Sequence, residues 1–258
     1  LQTRRYCLNQ CYNVTMKKLL YVAATALVIL SAIYIVKINR IHPVPASVVV
    51  EPIVTPTISL CFYQEFKTPR GLYDSQLLRL NLSGGSVTGE YQNLPAEKDK
   101  KVGTFSGTVS AVDKVAMART ADVWWDSMAE GMQVKEQLKI VFGEGNAEAG
   151  YGEMVDRGDG TYVYKDPAHL TYGKSMTDVA CSDLDDRIIV EKYIRANIAT
   201  LAPSKPVLGG TWYITSVHID PAKKSGSMAY EDGHIVSSAT FSYTRSGEDV
   251  TLNNIIKK

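Results

Sequence analysis

A chain of 258 residues leaves room for one large domain, or two small ones, beyond an anchoring segment. Lys and Arg number 28 against 27 Asp and Glu, a net charge of +1, which gives no electrostatic footprint for a nucleic-acid partner. The four histidines (His42, His169, His218, His234) stand apart, none three to five residues from another, so metal-ligand spacing is absent and no metal or cofactor is expected.

Residues 1–15 precede the first methionine and are read as a leader carrying no fold. Met16, Lys17 and Lys18 then open a run, Leu19 to Val36, of 18 residues without a charge. As a helix it covers roughly 27 Å, close to a bilayer's hydrocarbon core. The run ends "AIYIVKINR", without a small-residue exit, so residues 16–38 are expected to be an uncleaved signal-anchor, a single transmembrane helix. A cleaved signal peptide is the alternative. Basic residues flank the run almost equally (Lys17 and Lys18 before, Lys37 and Arg40 after), so orientation is read from the cysteines.

Setting aside Cys7 and Cys11 in the leader, Cys61 and Cys181 bracket the following domain, and a disulfide between them is expected. That bond requires an oxidising, extracytoplasmic location. Residues 39–56, rich in proline, read as an extended tether.

From residue 57 the signals are β. "LLRLNL" places Leu78, Leu80 and Leu82 on one face, "SGGS" turns the chain, and "VTGEY" returns it. "TFSGTV" follows, then "EQLKIVF", "AEAGYGEM" and "TYVYKD", joined by Gly-rich turns; Asp159-Gly160 is read as such a turn, since its spacing fails the calcium-loop pattern. This is an antiparallel meander over residues 57–181, and the glycines within its strands suit a small closed barrel. Residues 182–202 form a helix, with Ser182 or Asp183 as cap, an apolar face of Val190, Ile194, Ile198 and Leu201, and Pro203 as stop. Residues 208–258 form a further small β module of three or four strands, expected to pack on the helix or the barrel.

Residues 118–128, around the adjacent Trp124 and Trp125, fit two periods. As a helix they align Met117, Ala121, Trp124 and Met128; as a strand, Ala121, Val123 and Trp125 face one way and Trp124 the other. A resemblance favours the strand. Gly89, then Glu97-Lys98-Asp99, Gly103 and Gly107, Glu130-Gly131-Met132 and Gly150-Tyr151-Gly152-Glu153 resemble the motif set of uncharacterised bacterial envelope lipoproteins with a lipocalin-like barrel. The chain is also similar to uncharacterised anchored proteins of candidate-phylum bacteria. The likeness covers residues 57–181 and implies a strand before Glu130, but no activity. No cysteine follows the apolar run for lipid attachment.

As a strand, the segment turns Trp125 inward and Trp124 outward, where it is either covered by the helix and C-terminal sheet, the favoured reading, or exposed for use. The expected fold is mainly β: a lipocalin-like antiparallel barrel with one helix and a C-terminal β module, behind a membrane anchor. The expected function is a single-pass, extracytoplasmic envelope module that binds an apolar small molecule or a partner protein. Trp124, Trp125 and Tyr151 are its candidate ligand-binding residues. No catalytic motif is present. The alternatives are a cell-wall carbohydrate-active enzyme using Asp122 or Asp126, and a purely structural interaction protein.

Overall fold

The computed structural model describes residues 21, 24–35, 37, 56–207 and 209–258. It divides into two units, Leu1–Ile53 and Val54–Lys258. In the first, residues 24–35 are helical and exposed. Among the described residues no helix is long and apolar enough to cross a membrane. The leader, most of the tether and part of the expected span 16–38 lie outside the described residues.

The second unit is mainly β. Its strands are β1 (Ile58–Lys67), β2 (Tyr73–Ser83), β3 (Ser86–Leu94), β4 (Lys101–Val109), β5 (Arg119–Ala129), β6 (Met132–Gly143) and β7 (Asn146–Tyr151). Four short ones follow: β8 (Met154–Asp156), β9 (Thr161–Tyr164), β10 (Thr171–Tyr172) and β11 (Met176–Asp178). From β1 to β7 each strand pairs antiparallel with the next. β11 closes the ring, setting Met176 against Ala147 of β7 and Asp178 against Phe62 of β1. The result is a closed antiparallel barrel of eight strands.

Residues 119–129 form a strand, and its alternation is clear: Ala121, Val123 and Trp125 are buried in the interior with Leu78, Leu80, Phe105 and Ile140. Removing each large apolar side chain from water stabilises the fold by about 1.5–3 kcal/mol. The barrel is narrow because aromatic rings lie opposite glycines. Phe105 pairs with Gly89 and Tyr91 with Gly103. A Cβ on Gly103 would stand 2.1 Å from the Asp126 carbonyl oxygen, and one on Gly89 2.6 Å from the Phe105 ring. Only a missing side chain lets these strands coil so tightly.

The long helix, Cys181–Leu201, starts one residue earlier than expected. Neither Ser182 nor Asp183 caps it: the N-cap is Ala180, without a side-chain hydrogen bond, and its carbonyl accepts from the amides of Asp183 and Leu184. The Cys61–Cys181 disulfide pins this first residue to β1, with Cα atoms 5.2 Å apart. One side of the helix packs Leu184 and Ile188 on Leu77 and Leu94 of the barrel's outer wall. Another packs Val190, Ile194 and Ile198 on a sheet of β12 (Tyr213–Asp220), β13 (Ser225–Glu231), β14 (Val236–Ser246) and β15 (Asp249–Lys257). Polar contacts tie the layers. Asp186, almost fully buried, receives Tyr243 at 2.8 Å and the cations Lys224 and Arg245 at 2.5 Å each. His218 of β12 meets Glu65 of β1 at 2.5 Å and stacks on Tyr73 at 4.7 Å.

Candidate functional site

β6 and β7 do not pair along their whole length. Their ladder runs from Gly143 opposite Asn146 to Ile140 opposite Ala149, after which they separate. β9 enters beside the freed part of β6, pairing parallel at Lys135 and Glu136, while β10 pairs with Gly150 and Tyr151 of β7. Tyr164 of β9 fills the gap. Its hydroxyl donates to the Gly150 carbonyl at 2.8 Å and accepts from the Lys139 amide at 3.4 Å. It therefore replaces the next rung of the ladder, the long contact being the weaker. The Gln137 side-chain oxygen accepts from the Tyr164 amide at 3.2 Å. Burial pushes the Tyr164 phenol up to about 12, so it stays a neutral donor.

Behind this seam the barrel interior opens. The hollow has a volume of about 280 Å³ and lies toward the end where β1–β2, β3–β4 and β5–β6 are connected. Its walls include Tyr91, Trp125, Leu138, Tyr151, Met154 and Tyr164. Trp125 is 3% exposed, its ring 5.1 Å from that of Tyr91 and tilted by 52°. Lys101 stands 5.1 Å from the Trp125 ring centre and pairs with Glu136 at 2.5 Å. These two are the charged side chains of the hollow, and they neutralise each other. The Trp125 indole nitrogen is buried without a hydrogen-bond partner. A buried donor in that state costs about 1–3 kcal/mol.

A hydroxyl pair lies across the hollow. The Tyr91 and Tyr151 hydroxyls are 2.7 Å apart, and Gln76 donates to that of Tyr151 at 3.0 Å. Burial above all, then the neighbouring Tyr151 hydroxyl, drives the Tyr91 phenol well above its ordinary range, so it remains protonated. Tyr151 itself is 40% exposed.

Two of the three expected ligand-binding residues, Trp125 and Tyr151, thus meet in one hollow. Trp124 does not join them and is not covered as expected. It lies half-buried on the outer wall, outside the clusters that pack the helix and the C-terminal sheet. Its flanking carboxylates are taken up by lysines of the next strand, Asp122 by Lys139 at 3.4 Å and Asp126 by Lys135 at 3.7 Å. The helix packs on Leu77 and Leu94 of the wall, in a cluster that does not include Trp124.

A larger cleft, about 620 Å³, lies between residues 95–100, the Glu130–Gly131 turn and β12. It is lined by charges of both signs. In it Asp99 hydrogen-bonds Glu130 and raises that carboxyl's pKa, while burial and then Arg195 lower the Lys100 amine to about 8. Among the described residues no three His, Cys, Asp or Glu side chains come together as a metal site. Comparison of the chain with family models, with curated proteins and with solved structures found no match.

Proposed function

We propose that the chain is a non-enzymatic binding module of the bacterial cell envelope, tethered by residues 16–38 and carrying its lipocalin-like barrel outside the cytoplasm. The observation that supports ligand binding is the hollow of about 280 Å³, walled by aromatic rings and with its two charges paired off. Pockets that hold small molecules have this make-up, mainly apolar with a few placed polar groups. The Cys61–Cys181 disulfide supports an oxidising compartment. The membrane anchor rests on the uncharged run Leu19 to Val36, of which residues 24–35 are helical with Leu27, Ile29, Leu30 and Ile33 exposed.

Native mass spectrometry of the full chain, released from detergent, tests the reading. A small molecule that co-purifies with wild type and is lost when Tyr151→Arg crowds the hollow supports it. A bare polypeptide mass from several hosts, with no small molecule retained, removes it.

A second reading has its own observation. β15 is the outer strand of its sheet, with one edge unpaired among the described residues and Ile256 exposed. An interaction protein would use that edge to add a partner's strand. Cross-links to another protein that depend on residues 249–257 would favour it.

A further inference from the structure

We propose that the barrel hollow takes a neutral molecule of one or two rings that carries a hydrogen-bond acceptor, which it presents to the Tyr91–Tyr151 hydroxyl pair. This rests on reading the hollow as a ligand site, and three observations narrow the class.

The first is charge. Lys101 and Glu136 are the charged groups lining the hollow, and they pair with each other at 2.5 Å. An anionic or cationic ligand would lose hydration on entry without meeting an unpaired countercharge. The second is size. About 280 Å³ lies just below the usual roughly 300–1,000 Å³ of small-molecule pockets and encloses about ten to fifteen non-hydrogen atoms. A lipid chain or a disaccharide would not be enclosed.

The third is a proton count. Each phenol hydroxyl has one proton and can accept as well. Tyr151 accepts from Gln76, and one proton bridges the Tyr91 and Tyr151 oxygens. Whichever tyrosine supplies that proton, the other tyrosine's proton has no protein acceptor among the described residues. Both rings line the hollow. The pair therefore offers one donor there, matched by a carbonyl or ether oxygen on an apolar body. It also follows that either tyrosine alone still provides the donor, and only loss of both removes it.

The test uses the full chain in lipid nanodiscs with isotope-labelled methionine methyls, the Met154 signal being assigned through Met154→Leu. Four probes are titrated: coumarin (neutral, with a carbonyl), naphthalene (similar in shape, without an acceptor), benzoate and N-acetylglucosamine. Coumarin is expected to shift the Met154 methyl saturably. Tyr91→Phe or Tyr151→Phe alone should change its affinity less than about twofold, and the double variant should weaken it at least about fivefold, while naphthalene stays within twofold. Equal weakening of both, or none of either, overturns the assignment. Binding of benzoate or N-acetylglucosamine without coumarin overturns the ligand class but leaves the hollow as a binding site. Silence from all four probes removes both. If the double variant loses the wild-type methyl spectrum, the wild-type ranking decides: coumarin must bind and benzoate must not.

Discussion

The Tyr164 hydroxyl donates to the Gly150 carbonyl at 2.8 Å, where β6 and β7 have already parted. One side chain thus closes a wall that backbone pairing leaves open, beside the hollow. The backbone is closely packed opposite it: a Cβ on Gly150 would lie 3.0 Å from the Leu170 side chain and 3.3 Å from the Lys139 carbonyl oxygen, so these neighbours would have to give by a few tenths of an ångström.

Tyr164→Phe should therefore loosen the seam without unfolding the barrel. The expected cost is about 1–2 kcal/mol, from a lost bond and a buried carbonyl left without its donor. Hydrogen exchange should speed up at the Lys139 amide and its neighbours in residues 137–141. The β2–β3 hairpin should be unaffected. Unchanged exchange at Lys139 would show that the hydroxyl does not hold the wall.

The Cys61–Cys181 disulfide closes 120 residues of sequence and joins the barrel wall to the first residue of the helix. On the chain-entropy model such a link is worth about 4–5 kcal/mol. Cys61→Ser with Cys181→Ser, or reductant on wild type, should lower the unfolding free energy by a comparable amount and the denaturation midpoint with it. The helix and C-terminal sheet should come loose first, since the barrel's ladder closes without the helix. A midpoint unmoved by reductant would contradict this.

Much of the fold is legible in the sequence because the strand period is strict. Leu78, Leu80 and Leu82, or Leu138, Ile140 and Phe142, mark an inward face that the barrel interior fills. Which strand closes the ring is not legible: β11 has three residues, too few to display a period, and its pairing with β1 is a long-range contact. The helix cap misleads because Ser182 and Asp183 have capping chemistry, while a covalent bond at Cys181 sets the start. Tyr151 follows from alternation, and Trp125 does so once the resemblance has decided for the strand over the helix. Lys101, Glu136 and Gln76 are missed, although the signal exists: Glu136 continues the face of Leu138 and Ile140, and Gln76 that of Leu78 and Leu80. A polar residue in an inward position marks where the packed interior gives way to the hollow. Tyr164 has no such signal, since its role depends on β9 entering beside β6.

Asp186 links the helix to the C-terminal sheet and should make that joint sensitive to acid. Burial by itself raises this carboxyl's pKa, but hydrogen bonds from Lys224, Arg245 and Tyr243 outweigh burial and hold it below its ordinary value. A carboxyl depressed in the folded state adds stability above its unfolded pKa, and that stability is lost as pH falls toward the folded value. Denaturation midpoints should drop from about pH 5 downward. Asp186→Asn should cost about 2–4 kcal/mol at neutral pH, leaving two cations beside an uncharged amide. It should also flatten the acid slope. An Asn variant with the wild-type slope would place the acid sensitivity elsewhere.

Lys100 gives the opposite pH signature. Burial first, then the Arg195 charge, brings its amine down to about 8, whereas the unfolded chain keeps a lysine near its ordinary value of 10.5. Between these values the unfolded chain binds more protons than the folded one, so this group makes stability rise with pH across that window. The same depression leaves about half of the Lys100 amines neutral and nucleophilic at pH 8, roughly a hundredfold more than for an ordinary lysine. Dilute acetic anhydride at pH 8, read by peptide mass spectrometry, should label Lys100 well ahead of the exposed Lys114. Its rate should level off above pH 9. A Lys100 rate that keeps climbing past pH 9 would mean that the cleft does not desolvate the amine.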